Sequence, residues 1–202
     1  IQAAIQAGFA RLSSGRTSRE ALLVQGDGSL TAGTGIPVPS YTVLNLCGTM
    51  AVTGQGPGNS PGKSLGPQAP IYARGQTEID IPHARITGSP AHGMLFRETS
   101  NLHLGSIELE LMPSGNPGIG IRIDNGENAS AGGAMVRNIR IDHLRVSGTL
   151  SPVAHARLQL RQQVFCFLAE DREQIGVDGV DGIDVVFVVE GIASRPCGSR
   201  HQ

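Results

Sequence analysis

A pattern of short alternating apolar runs repeats along residues 71–148, and few folds are compatible with such a repeat. Three unequal rungs superimpose: IYARGQTEIDIPHARITG, MLFRETSNLHLGSIELEL, and IRIDN followed after a loop by RNIRIDHLRVSG. The steps from Ile71 to Met94 and from Ile79 to Leu102 are both 23 residues (94 − 71 and 102 − 79). Such a period predicts an all-β solenoid, in which each repeat is one turn of a coil of strands. One turn cannot bury its apolar face alone, but stacked turns can.

The composition agrees with many short strands and excludes some partners. The 202 residues include 28 Gly and 12 Pro, a turn-rich mixture, and their length suits one domain. A formal net charge of −1 gives no field that would favour nucleic acid or an anionic membrane, and no apolar run has the length of a membrane-spanning helix. The three cysteines lack metal-ligand spacing and leave the compartment and the disulfide pairing open. The chain begins with Ile1, which indicates a processed or excerpted piece whose signal peptide would not be visible.

The N-terminal segment differs from the repeats. Ile1, Ile5, Phe9 and Leu12 recur at steps of three and four, which predicts a short amphipathic helix over residues 1–14. We expect this helix to cover the first coil, because an open solenoid end exposes strand edges and core. An earlier coil follows in residues 36–52, and a Gly- and Pro-rich loop in residues 53–70 separates it from the rungs.

After Gly148 the register of the repeat disappears from the sequence. Ser151 and Pro152 have the residue types of a helix start, which predicts either a helical C-terminal cap or a poorly ordered tail, with weak order favoured. We therefore divide the chain into a β-helix domain with its cap helix over residues 1–150 and an irregular segment over residues 151–202.

The repeats resemble the right-handed parallel β-helix proteins of the pectin lyase-like superfamily, which includes polygalacturonases and pectate lyases. The matching pieces are residues 3–7, IPVPSYTVLNLCGT at 36–49, SNLHL at 100–104, and GIRIDN with RNIRIDHLRVSG within 120–148. Asn101 and Asn138 fall where this superfamily stacks asparagines in its turns. The resemblance implies a right-handed parallel β-helix, extracellular localisation and a polysaccharide partner. No cofactor is predicted, and only the resemblance would suggest Ca²⁺. The catalytic motifs of polygalacturonases are absent, and the nearest match to Arg-Ile-Lys is Arg122-Ile123-Asp124.

Strand alternation predicts which side chains share the outer face of the first strand in each rung. Its members form two columns, Arg74 with Arg97 and Asp124, and Tyr72 with Leu95 and Arg122. We predict Arg97, Arg74 and Asp124 as catalytic residues, because two adjacent arginines repel unless an anion lies between them. Tyr72, Arg122, Leu95 and His92 are the predicted substrate-binding residues, and no metal site is predicted. The other reading is structural: the arginines are splayed apart and Asp124 only pairs with Arg97.

Two classes of function follow from this face. The first is a secreted carbohydrate-active protein that acts on or binds an acidic, uronate-containing polysaccharide. As a lyase it would use Arg97 or Arg74 to abstract the C5 proton, whereas a hydrolase would need a second carboxylate near Asp124, and the sequence shows none on this face. The second class is a non-catalytic structural or adhesive solenoid, or a fragment of a β-helix enzyme.

The later strands carry the columns Asp80–His103–Arg140 and Arg85–Glu108–Arg145, which we interpret as solvated structural pairs. The substrate and the oligomeric state stay open.

Overall fold

The repeated alternation is realised as parallel strands. The structure is a computed structural model that describes residues 1–54, 69–112, 119–124 and 136–148, and the backbone of residues 151–156. Its elements are α1 (Gln2–Phe9), β1 (Glu20–Gln25), β2 (Gly28–Thr31), β3 (Ile36–Pro37), β4 (Thr42–Cys47), β5 (Thr49–Thr53), β6 (Ile71–Arg74), β7 (Thr77–Gly88), β8 (His92–Arg97), β9 (Ser100–Leu111), β10 (Ile119–Asp124), β11 (Arg137–Ser147) and β12 (Ser151–Ala156).

The strands form two parallel sheets, between which the chain alternates. The short sheet has the order β3-β6-β8-β10-β12. In the long sheet β7 pairs with β4 and β5, which pair in turn with β1 and β2, while β9 lies between β7 and β11. Each rung of the repeat thus adds one strand to each sheet. The prediction of an all-β chain is confirmed at this level, and the arrangement is compatible with a β-helix-like fold.

The strand register follows the sequence repeat. Ile71 aligns with Met94, and Met94 with Ile121, while Ile79 aligns with Leu102. These side chains are all buried in one hydrophobic core cluster, so the predicted inward ladder is confirmed. Burying such side chains contributes roughly 1.5–3 kcal/mol each, which explains why apolar spacing alone fixes the alignment of neighbouring rungs.

A second column stacks at the start of the long-sheet strands β7, β9 and β11. Glu78, Asn101 and Asn138 all have positive φ, between 53° and 58°, a conformation that asparagine tolerates better than most residues. The Asn138 amide donates to Asn101 Oδ1 at 2.7 Å, and the Asn101 amide donates to Glu78 Oε1 at 2.5 Å. Arg19 extends the column through an ion pair of 3.0 Å with Glu78. The asparagine stacking predicted from the sequence is therefore present.

The predicted N-terminal helix is confirmed, although it spans Gln2–Phe9 only. Ile5 is buried in the core, and the helix packs against β1, β2 and β3. Gln2 accepts a hydrogen bond from the Thr31 amide and donates to the Gly35 carbonyl, which satisfies backbone groups at the end of β2. The helix thus covers part of the first coil with both apolar and polar contacts.

The parallel pairing continues beyond Gly148, so residues 151–156 form a strand, and the helical alternative is wrong at its predicted start. Strand β12 pairs with β10, with Ile121 opposite Val153. Ser-Pro suits a helix start, but proline is also accepted at the beginning of a strand, and local sequence does not separate the two. The rest of the predicted tail, residues 157–202, lies outside the described residues. Cys47 is disulfide-bonded, and Cys166 and Cys197 lie in that same undescribed part of the chain.

Candidate functional site

The short sheet aligns the predicted site residues as the sequence indicated. Arg74 lies beside Arg97, and Arg97 beside Asp124. Tyr72, Leu95 and Arg122 form the neighbouring column in the same way. Both columns belong to the outer face, because the residues between them are in the core cluster. The geometry of this face therefore rests on the 23-residue repeat.

Asp124 is held between two guanidinium groups. Arg97 donates from Nε to Oδ1 at 2.5 Å and from Nη2 to Oδ2 at 2.9 Å, a two-pronged contact, and Arg122 donates from Nε to Oδ2 at 2.7 Å. Arg97 is only 7% exposed and Asp124 only 2%. Bidentate, charge-assisted contacts of this kind are among the strongest in proteins, and burial reduces their screening. Both carboxylate oxygens are thus engaged by cations from this face.

The face at β8 and β10 is buried, which corrects the expectation of an accessible site there. His92, at the start of β8, is 0% exposed, and its Nε2 lies 3.5 Å from Arg122 Nη1. Leu95 is 6% exposed although it lies apart from the hydrophobic core cluster. Alternation decides from which side of a sheet a side chain leaves, but not whether more of the chain covers that side.

These contacts separate the three predicted catalytic residues. The two arginines do not form an uncompensated pair, because Asp124 neutralises Arg97. Arg74 differs from both: it is exposed, and its guanidinium makes no ion pair with any residue in the described ranges. Of the predicted catalytic set, Arg74 alone presents an accessible charge. Most of the predicted loop at residues 53–70 lies outside the described residues, as do residues 113–118 and 125–135, which adjoin this face in the sequence.

Arg74 and Tyr72 line a pocket between α1 and the short sheet. The pocket has a volume of about 420 Å³ and is open to solvent beside the exposed Arg74. Its other lining residues include Gln6 and Phe9 of the helix and Pro37, Val38 and Pro39 after β3. Gln76 fixes the turn that follows Arg74, since its Nε2 donates to the Arg74 carbonyl at 3.0 Å and its Oε1 accepts from the Ser40 amide at 2.8 Å.

The sequence analysis found Tyr72 and Arg74 but missed the helix and proline residues of this pocket. The repeat period reports which strand residues align, whereas the approach of α1 to β6 is a tertiary contact between different kinds of element. Nothing in the spacing of residues 1–14 indicates which rung they touch.

A charged cluster crosses the outer face of the long sheet. Asp80, His103 and Arg140 align as predicted. His103 contacts two carboxylates: Nδ1 lies 2.9 Å from Asp80 Oδ1, and Nε2 lies 2.8 Å from Asp142 Oδ2. Arg140 binds Asp142 rather than His103, through a 2.6 Å contact from Nε to Oδ1. Ionised carboxylates only accept hydrogen bonds, so the bridge is complete when both ring nitrogens carry protons.

The bridge shifts the protonation of two of its members in opposite directions. The hydrogen bond to Asp80 raises the pKa of His103, partial burial opposes this, and the bond to Asp142 adds to it. Partial burial would raise the pKa of Asp142, but the hydrogen bonds from His103 and Arg140 outweigh it, so this pKa lies below its ordinary value. The sequence analysis placed Asp142 in no column, although alternation puts it on the same face of β11 as Arg140, two residues earlier.

This bridge predicts a bell-shaped pH dependence of stability. A histidine whose pKa is raised by folding stabilises the fold fully below its unfolded value of 6.5 and loses that contribution as pH rises through its folded pKa. Asp142 acts in the opposite sense, and its contribution is lost as pH falls below 3.8 through its folded pKa. We expect the free energy of unfolding, measured with urea at a series of pH values, to decrease on both sides of this window.

His103→Gln tests the alkaline limb, because glutamine does not titrate. The variant should lose most of the decrease in unfolding free energy that the wild type shows above pH 6.5. His143→Gln is the matched control, since His143 is exposed on the same sheet, and it should leave that decrease in place. Equal pH slopes for His103→Gln and the wild type would contradict the bridge.

The described residues contain no group of three or more His, Cys, Asp or Glu side chains arranged to hold a metal ion. The one helix in the described ranges is too short to cross a membrane. No protein-family model matches the chain, and neither a curated protein sequence nor a solved structure matches it.

Proposed function

We propose that this chain is a secreted, right-handed parallel β-helix protein of the pectin lyase-like kind, and that it binds an acidic, uronate-containing polysaccharide. The binding residues are Tyr72 and Arg74, at the open end of the short-sheet face. The observation that carries the proposal is the exposed Arg74 guanidinium, which makes no ion pair within the described ranges and lies at the rim of the pocket.

The chemistry of these two residues suits a uronate. A guanidinium presents paired donors that match a carboxylate, and it keeps its charge at any physiological pH. Tyr72, Phe9 and the neighbouring prolines supply apolar surface, against which the C–H face of a sugar ring packs. The exposed positive charge of Arg74 at the rim of the pocket therefore favours an anion.

The same cluster favours binding over bond cleavage. Hydrolysis needs two carboxyl groups on either side of the scissile bond. Among the described residues of the two columns, Asp124 is the one carboxylate, and it is buried and held by two arginines. β-Elimination needs a base, and Arg97 is already bound to Asp124. Arg74 would then be the base, with no second catalytic group beside it among the described residues. Binding at Arg74 requires neither partner.

A structural or adhesive solenoid is the second candidate function, and one specific observation favours it. Side-chain networks tie successive rungs together: Arg19–Glu78–Asn101–Asn138 along the turns and the His103 bridge on the long sheet. Such ladders stiffen a rod and require no ligand. In this case Arg74 would have no binding role.

Binding to an immobilised polyuronate, with a neutral glucan as the reference polymer, separates these two functions. We expect the wild type to bind the polyuronate in a salt-sensitive manner and to release no unsaturated product, followed by ultraviolet absorbance. Arg74→Gln should weaken binding at least about tenfold, equivalent to roughly 1.4 kcal/mol, because it removes the charge that meets the carboxylate. Tyr72→Ala should weaken it by a similar factor through loss of the apolar contact.

Arg145→Gln is the matched control, since Arg145 is an exposed arginine on the outer face of the long sheet. This variant changes the net charge as Arg74→Gln does, and it should bind like the wild type. Equal weakening by both substitutions would reduce the effect to non-specific charge and contradict a site at Arg74. Absence of polyuronate binding would favour the structural solenoid.

A further inference from the structure

We propose that the pocket at Arg74 recognises the terminal uronate residue of a polysaccharide chain rather than a stretch in its interior. This inference rests on the proposed function and adds to it a choice of ligand. Three properties of the pocket support it: the elements that bound it across the rungs, its size and its single accessible cation among the described lining residues.

The outer face of the short sheet is closed on both sides of Tyr72 and Arg74. On one side α1 contributes Gln6 and Phe9 to the wall of the pocket. On the other side the next rung is buried, with Leu95 and Arg97 at 6% and 7% exposure. A polymer lying across the rungs would have to pass over the helix or into the buried part of the face, so this arrangement favours the end of a polymer chain.

The volume of the pocket points to the same occupant. Sites for ligands of drug-like size commonly enclose about 300–1,000 Å³, and this pocket, at about 420 Å³, lies near the lower limit. It accommodates one or two sugar rings. A groove for a polymer interior would need further subsites along the face, and the buried rungs provide none.

The charge in the pocket also matches one carboxylate. Arg74 is the accessible cation among the described lining residues, and the other walls are apolar or carry amides. A repeating polyanion would place its next carboxylates against Phe9 and the prolines, where they would lose water without gaining a partner. A terminal uronate places one carboxylate on Arg74 and its remaining surface against the apolar wall.

Competition between short and long uronates tests the choice of ligand. We would measure binding of fluorescent trigalacturonate to the full chain and displace it with galacturonate, with unlabelled trigalacturonate and with long polygalacturonate. If chain ends bind, galacturonate displaces the probe, and half-displacement by the polymer requires more uronate than by the trimer, in the ratio of the two chain lengths. Galactose, which lacks the carboxylate, should not displace the probe.

Each other outcome is decisive. If the polymer competes as well per uronate unit as the trimer and galacturonate does not compete, an interior stretch is bound; the inference then fails while the proposed function stands. If no uronate binds, both fail. Arg74→Gln should reduce trigalacturonate binding at least about tenfold, whereas Arg145→Gln should leave it unchanged, and equal losses in the two variants would overturn the assignment to this pocket.

Discussion

Replacing Asp124 with alanine should lower the free energy of unfolding by about 3–5 kcal/mol. The substitution removes the bidentate partner of Arg97, of which only 7% is exposed, and it also removes one acceptor of Arg122. A buried charge that loses its partner costs far more than the pair contributed, because solvation is not regained on removal of the partner. Urea unfolding at neutral pH, with circular dichroism as the signal, measures the change.

Two further variants test whether the loss of stability in Asp124→Ala comes from the buried charge. The double substitution Arg97→Met with Asp124→Leu removes both charges and should recover most of the lost stability, since hydrophobic replacement of a buried pair is commonly neutral or stabilising. Glu108→Ala breaks an exposed ion pair, in which Arg85 Nε lies 3.7 Å from Glu108 Oε2, and it should cost no more than about 1 kcal/mol. If Asp124→Ala costs as little as Glu108→Ala, water screens the charge on Arg97 and the pair is not buried.

The sequence predicted the register of the strands well, for a physical reason. Side chains alternate with a period of two, so a slip of one residue would turn Ile79 and Leu102 to solvent and bring Asp80 and His103 into the core. Because that exchange is costly, the spacing of apolar residues reliably predicts the register of the strands from β7 to β11. The columns that contain Arg74 and Asp80 were predictable because the same register aligns them.

Contacts that do not lie in the plane of a sheet were not predictable in this way. The burial of Leu95 and His92 depends on what covers the outer face, and the pocket at Arg74 depends on where α1 docks. Neither leaves a period in the sequence. Register placed Arg140 beside His103, but His103 contacts Asp142, which lies two residues further along the same face of β11.

The segment after Gly148 shows the limit of local signals. Ser151 and Pro152 fit a helix start, yet Ser151–Ala156 pairs with β10 as a parallel strand. Tertiary pairing prevailed over local preference, since β10 offers an edge of unpaired backbone groups that a fifth strand of the short sheet can satisfy.

Truncating Leu104 to alanine tests whether the rungs form one continuous core. Leu104 is 0% exposed, and the register places it between Ile81 and Ile141, which are also buried. We expect the free energy of unfolding to decrease by about 2–5 kcal/mol, through loss of buried apolar surface and through the cavity left between the rungs. The upper part of this range is favoured, because β9 is hydrogen-bonded to strands on both sides and cannot move to close the cavity.

Leu23→Ala makes the same chemical change at a position that is 55% exposed, on β1 at the N-terminal end of the long sheet. It should shift the urea midpoint only slightly, with a change in unfolding free energy within about 0.5 kcal/mol. Both leucines lie in parallel strands. The difference between the two changes in unfolding free energy therefore measures the packing between rungs, without the intrinsic preference of leucine for strands. A decrease of less than about 1 kcal/mol for Leu104→Ala would show that neighbouring rungs do not pack against this side chain, and the stacked core inferred from the 23-residue repeat would then be wrong.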